Sequence, residues 1–269
     1  MTLSLDTITF GEALLLLVAD QPGPLEAVET FHKRSAGAET NVAIGLARLG
    51  LKVGWASRLG NDSMGRFLLA TMTREGIDCA KVAFDSAAGT GFMFKGQTTD
   101  GSDPPIEYHR KGSAASGMGP ADIDTAWLLS ARHLHATGVF AAVSATTLAA
   151  AQQSMALMRA AGRSVSFDPN LRPTLWASPG HMRSAINDLT ARADWVLPGI
   201  DEGRLLTDEN SAEGIGVWAA EGTSAAKCPQ RSIFRRLSAK YLEIWWRNRQ
   251  KLVGAGATFR FDAFCRPDS

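Results

Sequence analysis

The chain has 269 residues, 45% of them apolar and 20% charged, with a formal net charge of +1. That length suits one α/β domain with small additions, or two modest domains. A charge so near zero implies no strong pull on nucleic acid or on acidic membranes. The charge is nonetheless uneven: residues 1–226 carry 18 Lys+Arg against 24 Asp+Glu, whereas residues 227–269 carry 10 against 3.

In chain order, Leu5–Phe10 is a run of β-formers that predicts a first strand, closed by Gly11. Ala13–Ala19 is the longest apolar run, and it is far too short to span a bilayer. The start, MTLSLDTITF, lacks the basic segment of a signal peptide. Asn41–Leu49 carries Val42, Ala43, Leu46 and Leu49 at helical spacing, with Gly50 where a C-terminal cap glycine belongs. Lys52–Ser57 predicts a strand, and Asp62 or Ser63 caps a helix running to Arg74, which Gly76 closes. Residues 81–110 break into short runs, Thr90–Lys95 and Ile106–Arg110, separated by glycine, aspartate and proline; they predict a small antiparallel sheet. The α/β rhythm then resumes with strands at Arg132–Ala136, Ser164–Phe167 and Trp195–Leu197. Helices are predicted at Ala145–Ala161 and Pro179–Ala191, with another beginning at Glu202–Leu206 and a further one over Ala212–Glu221. Repeated βα units call for a mostly parallel sheet with helices on both faces.

The cysteines, Cys79, Cys228 and Cys265, stand far apart without metal spacing and read as free thiols of a reducing cytosol. His133 and His135 place two imidazoles on one strand face, but no third ligand follows at a useful spacing. Neither a Walker A loop nor a GxGxxG fingerprint occurs. A cytoplasmic enzyme is the resulting expectation.

The segment from Gly37 to Asp78, GAETNVAIGLARLGLKVGWASRLGNDSMGRFLLATMTREGID, resembles the N-terminal signature of the phosphofructokinase-B, or ribokinase-like, carbohydrate kinases. Gly37, Asn41, Gly50, Gly60, Asp62 and Gly65 stand in register with it. Ile106-Glu107-Tyr108-His109-Arg110 resembles the strand that carries a substrate-contacting Tyr and Arg in 2-keto-3-deoxygluconate kinases. Phe167-Asp168-Pro169-Asn170-Leu171-Arg172-Pro173, with Trp176 downstream, resembles the FDxNxR element of the same family. Leu197–Gly203 resembles its NxxE element, with Gly199 in place of Asn and Glu202 kept.

The resemblance covers roughly residues 5–210 and implies a ribokinase-like α/β fold. That fold is a central, mostly parallel sheet flanked by helices, with a small β-sheet lid that often pairs two subunits into a homodimer. Residues 1–210 would form the core, with lid strands at about 12–35 and 81–112; residues 211–269 would be the divergent remainder of the nucleotide-binding region. The implied substrate is a small sugar acid, with ATP and Mg²⁺ and no nucleic-acid or membrane partner. The small residues Gly37 and Ala38 admit a ligand close to the backbone, and the amide of Asn41 reaches a sugar hydroxyl. Tyr108, Arg110, Asp168, Asn170 and Arg172 complete the implied sugar site, the arginines gripping a carboxylate by paired hydrogen bonds. Glu202 would organise water and Mg²⁺ about the phosphates.

The family's base comes from a late DTxGAGD motif, which is not found here. In Val253-Gly254-Ala255-Gly256-Ala257 the aspartate position holds Ala257. Read instead as the hairpin before that motif, Lys251–Ala257 leaves the chain stopping short of the catalytic helix. Gly254 and Gly256 are the residues assigned to the nucleotide side, and no catalytic residue is assigned. The basic stretch 227–269 reads as a frame-shifted or truncated tail; its Trp245 and Trp246 read next as core, and third as a partner or membrane-surface patch. Two alternatives stay open: a fructokinase- or ribokinase-type enzyme, and a non-catalytic sugar-binding remnant.

Overall fold

Leu5–Phe10 alternates polar and apolar side chains, and strand β1 forms over those residues with Ile8 and Phe10 buried on one face and Thr7 and Thr9 on the other. The computed structural model describes residues 3–211 and 214–216. Six parallel strands make the central sheet in the order β10-β9-β8-β1-β4-β5. They are β1, β4 (Val53–Gly60), β5 (Asp78–Asp85), β8 (Ala131–Thr137), β9 (Ser164–Asp168) and β10 (Trp195–Val196). A second sheet, ordered β3-β2-β6-β7, comprises β2 (Leu14–Ala19), β3 (Phe31–Ala36), β6 (Phe92–Lys95) and β7 (Ile106–His109).

Helices cover both faces of the central sheet, as its all-parallel pairing requires. On the Thr7/Thr9 face, α1 (Ala38–Arg48) and α2 (Ser63–Arg74) pack Ala43, Leu68 and Met72 against Val53 and Trp55. On the other face, Ile8, Phe10, Leu134 and Phe167 meet Met155 and Met158 of α5 (Ala145–Ala160) and Met182 and Ile186 of α6 (Pro179–Ala191). Among the described residues there are three shorter α-helices, α3 (Thr125–Leu128), α4 (Gly138–Ala141) and α7 (Ile200–Thr207). The edge of Phe10 meets the ring of Phe140 in α4 at 5.4 Å, which fixes the turn after β8 over the strand ends.

Three sequence expectations need correction. The stretch 81–110 is not a separate antiparallel sheet throughout, because residues up to Asp85 belong to β5 and pair in parallel with β4. The second sheet is mixed: β2–β3 and β6–β7 are antiparallel, but β2–β6 is parallel, since the chain leaves for the main sheet between them. The first helix begins at Ala38, three residues before Asn41, because Gly37 supplies the break at φ 147°. Strand β3 falls mostly within the lid range of about 12–35 but carries no strand signal of its own; Phe31–Ala36 is largely polar and exposed, and its partner β2 holds it extended. The helix expected over Ala212–Glu221 falls mostly outside the described residues, as do Gly254, Gly256 and the whole basic stretch.

Candidate active site

Parallel strands deliver their C-terminal ends to one edge, where ligands of open α/β sheets gather. At that edge β1 runs into Gly11 and Glu12, β8 ends at Thr137, and β9 ends at Asp168 in register with Thr137. The start of α1 stands over the same edge. A side chain at Gly37 would meet the Glu12 carbonyl at 2.7 Å and the Thr40 hydroxyl at 2.6 Å, so only glycine allows this approach. Ala38 follows half-buried as the first residue of α1; Asn41, in the first turn, is exposed and donates its backbone N–H to the Gly37 carbonyl at 3.0 Å.

Two buried glutamates that sequence reading missed lie between these parts. Glu12 is 3% exposed and forms an ion pair with Nη2 of Arg110, while its Oε1 accepts a hydrogen bond from the Ser113 hydroxyl. Burial pushes the Glu12 carboxyl up, against the pull of Arg110 and Ser113. Glu39, 1% exposed in the first turn of α1, accepts a hydrogen bond from the Thr137 hydroxyl. Burial raises its carboxyl to about 7, against the Thr137 hydrogen bond and the charge of Arg110, and the nearby Glu12 adds to the rise. The two acids join β1, α1, β8 and the exit of the second sheet into one cluster.

Arg110 was expected to face a substrate; in the described residues its guanidinium is paired with Glu12 and its side chain is 13% exposed. Its Nε is buried without a partner among those residues. Tyr108, two residues earlier in register with Met93, is 48% exposed.

The loop after β9 is built tightly. Asp168 and Asn170 are 6% and 2% exposed, and an Asp168 carboxylate oxygen accepts the Asn170 N–H at 3.0 Å. Asn170 takes φ 38°, a left-handed geometry asparagine tolerates better than most residues. The turn after β8 presses on this loop, for a side chain at Gly138 would sit 2.1 Å from the Pro169 carbonyl oxygen. Arg172 donates Nη1 to the Leu171 carbonyl at 2.7 Å and forms no ion pair among the described residues. Glu202 accepts from Leu171 N–H and Gly199 N–H, both at 2.8 Å, so it caps α7 and ties it to the β9 loop.

The structure therefore brings Gly37, Ala38, Arg110 and Asp168 to one edge through Glu12, Glu39 and Thr137. Arg172 stands on the neighbouring β9 loop. A cleft of about 280 Å³ bordered by Ala142, Leu148, Leu175 and Trp176 takes in Trp176 but none of the residues assigned from the sequence to sugar, nucleotide or metal. His133 and His135 are engaged differently. Both hydrogen-bond the Ser166 hydroxyl, at 2.8 and 2.9 Å, and His133 also meets Ser164 at 2.9 Å. Burial holds them down at about 4 and about 3, His133 against the charge of Asp194 and His135 with the repulsion of His133 added.

Known proteins share this chain's sequence and fold. The model of the pfkB family carbohydrate kinases matches residues 5–228. A 2-dehydro-3-deoxygluconokinase of Bacillus subtilis (strain 168) is 45% identical over 214 residues, 79% of this chain and 66% of that protein. The crystal structure of a PfkB protein from Polaromonas sp. JS666 is 73% identical, with a TM-score of 0.79 over 81% of this chain and 74% of that one. An uncharacterized sugar kinase from Pyrococcus horikoshii in complex with ATP is 26% identical, with a TM-score of 0.69 over 75% of this chain and 66% of that one. The chain thus spans about two thirds of the length of such relatives.

Proposed function

The chain belongs to the pfkB family of carbohydrate kinases, and on that premise we propose that it binds 2-keto-3-deoxygluconate, or a closely similar sugar acid, for phosphoryl transfer from ATP to the terminal hydroxyl. The observation that carries the reading is the guanidinium of Arg110, brought by Glu12 to the strand edge beside Gly37. A fixed cation there suits a substrate carboxylate. Arg172, without an ion-pair partner among the described residues, suits a second anionic contact. Gly37 and Ala38 leave the backbone at the start of α1 open to a hydroxylated ligand. The second sheet, whose chain returns through Arg110 to this edge, would act as a lid; closure excludes water, so the phosphoryl group goes to sugar. In that sheet Tyr108 and Ile106 are exposed, which suits pairing with a second subunit. The acceptor of the hydroxyl proton has no assigned residue.

The test is a coupled ATP-consumption assay on the full chain, with 2-keto-3-deoxygluconate and fructose as acceptors. Turnover with the acid well above background supports the proposal. Arg110→Ala or Arg172→Ala should then weaken the acid by about 10–100-fold, the worth of a charge-assisted hydrogen bond, and fructose far less. Ala257 at the expected aspartate position favours a second reading, a sugar-binding protein without catalysis. Saturable binding of the acid without turnover would support that one, and equal handling of fructose would favour a fructokinase-type specificity.

A further inference from the structure

We infer that Glu12 is a positioning residue for Arg110: with Ser113 it aims the guanidinium at the strand edge, and acid selectivity depends on it although it need not touch the sugar. This rests on the sugar-acid reading above. Arg110 lies one residue beyond β7, on a long side chain whose freedom must be removed before it can grip a carboxylate in a defined plane. The structure removes that freedom from one side only. Nη2 is held by Glu12, whose own side chain is 2% exposed, and Glu12 is held in turn by the Ser113 hydroxyl. Nε is buried without a partner among the described residues, and the ion pair recorded for the guanidinium there is the one through Nη2.

Packing leaves the pair little room. A side chain at Gly91 would sit 2.9 Å from Glu12 Oε1 and 3.4 Å from the Arg110 Cβ. The three partners also come from both ends of the second sheet. Glu12 leads into β2, while Arg110 and Ser113 follow β7, so forming the ion pair also sets where that sheet meets the edge. Without Glu12 the guanidinium would stay charged yet buried without its counter-ion, and it would turn out to water.

A rival role for Glu12, merely cancelling the charge of Arg110, predicts the opposite sign. Removing the negative charge would then strengthen the attraction for an acid.

The experiment is titration calorimetry of the full chain with 2-keto-3-deoxygluconate and, separately, fructose, for wild type, Glu12→Gln, Ser113→Ala, Arg110→Ala and the Glu12→Gln/Arg110→Ala double variant. Thermal melts of each variant accompany the titrations. Positioning predicts that Glu12→Gln weakens the acid about tenfold or more and that Ser113→Ala weakens it less. Fructose binding should stay within about twofold, and the double variant should be no worse than Arg110→Ala alone. Acid binding that is unchanged or tighter in Glu12→Gln overturns the inference. So does an equal loss for both sugars that adds to the Arg110→Ala loss, because that is the signature of general damage to the fold. Should wild type bind neither sugar, the functional reading fails first and the inference with it. If wild type prefers the acid while Glu12→Gln retains that preference, the inference alone fails.

Discussion

Replacing Glu39 by Gln should stabilise the protein at alkaline pH and leave it nearly unchanged in mild acid. Glu39 is 1% exposed, and burial raises its carboxyl from an ordinary 4.5 to about 7. Between those values the folded chain holds a proton that the unfolded chain has released, so stability falls as pH rises through this window and levels off above about 7. At 1.36 kcal/mol per pH unit the full cost is about 3 kcal/mol, of which about a quarter has appeared by pH 5. Glutamine keeps the shape and can still accept from Thr137, but has no charge to bury. Guanidinium denaturation of wild type and Glu39→Gln at pH 5 and pH 8 isolates the effect, since any fixed cost of the amide cancels between the two pH values. The variant's advantage should grow by about 2–3 kcal/mol from pH 5 to pH 8. An advantage that stays constant or shrinks would refute the claim that an ionisable carboxyl is confined there.

The two strand histidines should act with the opposite sign. Held down at about 4 and about 3, His133 and His135 stay neutral in the folded chain while the unfolded chain takes up protons below 6.5, so their contribution is intact above pH 6.5 and is lost as pH falls toward 4. His133→Gln or His135→Gln should reduce the stability lost between pH 7 and pH 5 by about 2 kcal/mol each, read from denaturant midpoints at the two pH values. Asp62 accepts the N–H of Gly65 at 2.7 Å as the cap of α2 and the N–H of buried Thr90 at 2.8 Å, tying the start of β6 to the main sheet. Asp62→Ala should therefore cost about 2 kcal/mol, one part for the cap and one for the stranded N–H. Asp62→Asn should recover about half in a thermal melt, because its single amide oxygen can keep only one of the two bonds.

Much of the framework was legible from local signals. β1 and α6 fall where alternation and capping place them, and α2 is capped by Asp62 and followed by Gly76, whose φ is 77°. The misses share a cause. β3 has a polar sequence and is extended only because β2 lies alongside it. β5 was assigned to the wrong sheet because its short alternating run looks the same in either. Among the site residues, Gly37, Arg110, Asp168 and Arg172 stood out as glycine or charge at element boundaries. Glu12 and Glu39 did not, for each reads as an ordinary surface acid near a glycine, one residue after Gly11 and two after Gly37. Their partners lie 98 and 101 residues away, at Arg110, Thr137 and Ser113.

The sequence by itself determined the alternation of strands and helices, the edge to which the strand ends would point, and the family the chain belongs to, since these depend on periodicity, caps and short motifs read along the chain. The tertiary structure decided which charges are buried together. Desolvation and ion pairing act through space, and the strand order β9-β8-β1-β4 alone brings a glutamate after β1, a threonine ending β8 and an arginine returning from the second sheet within reach of one another.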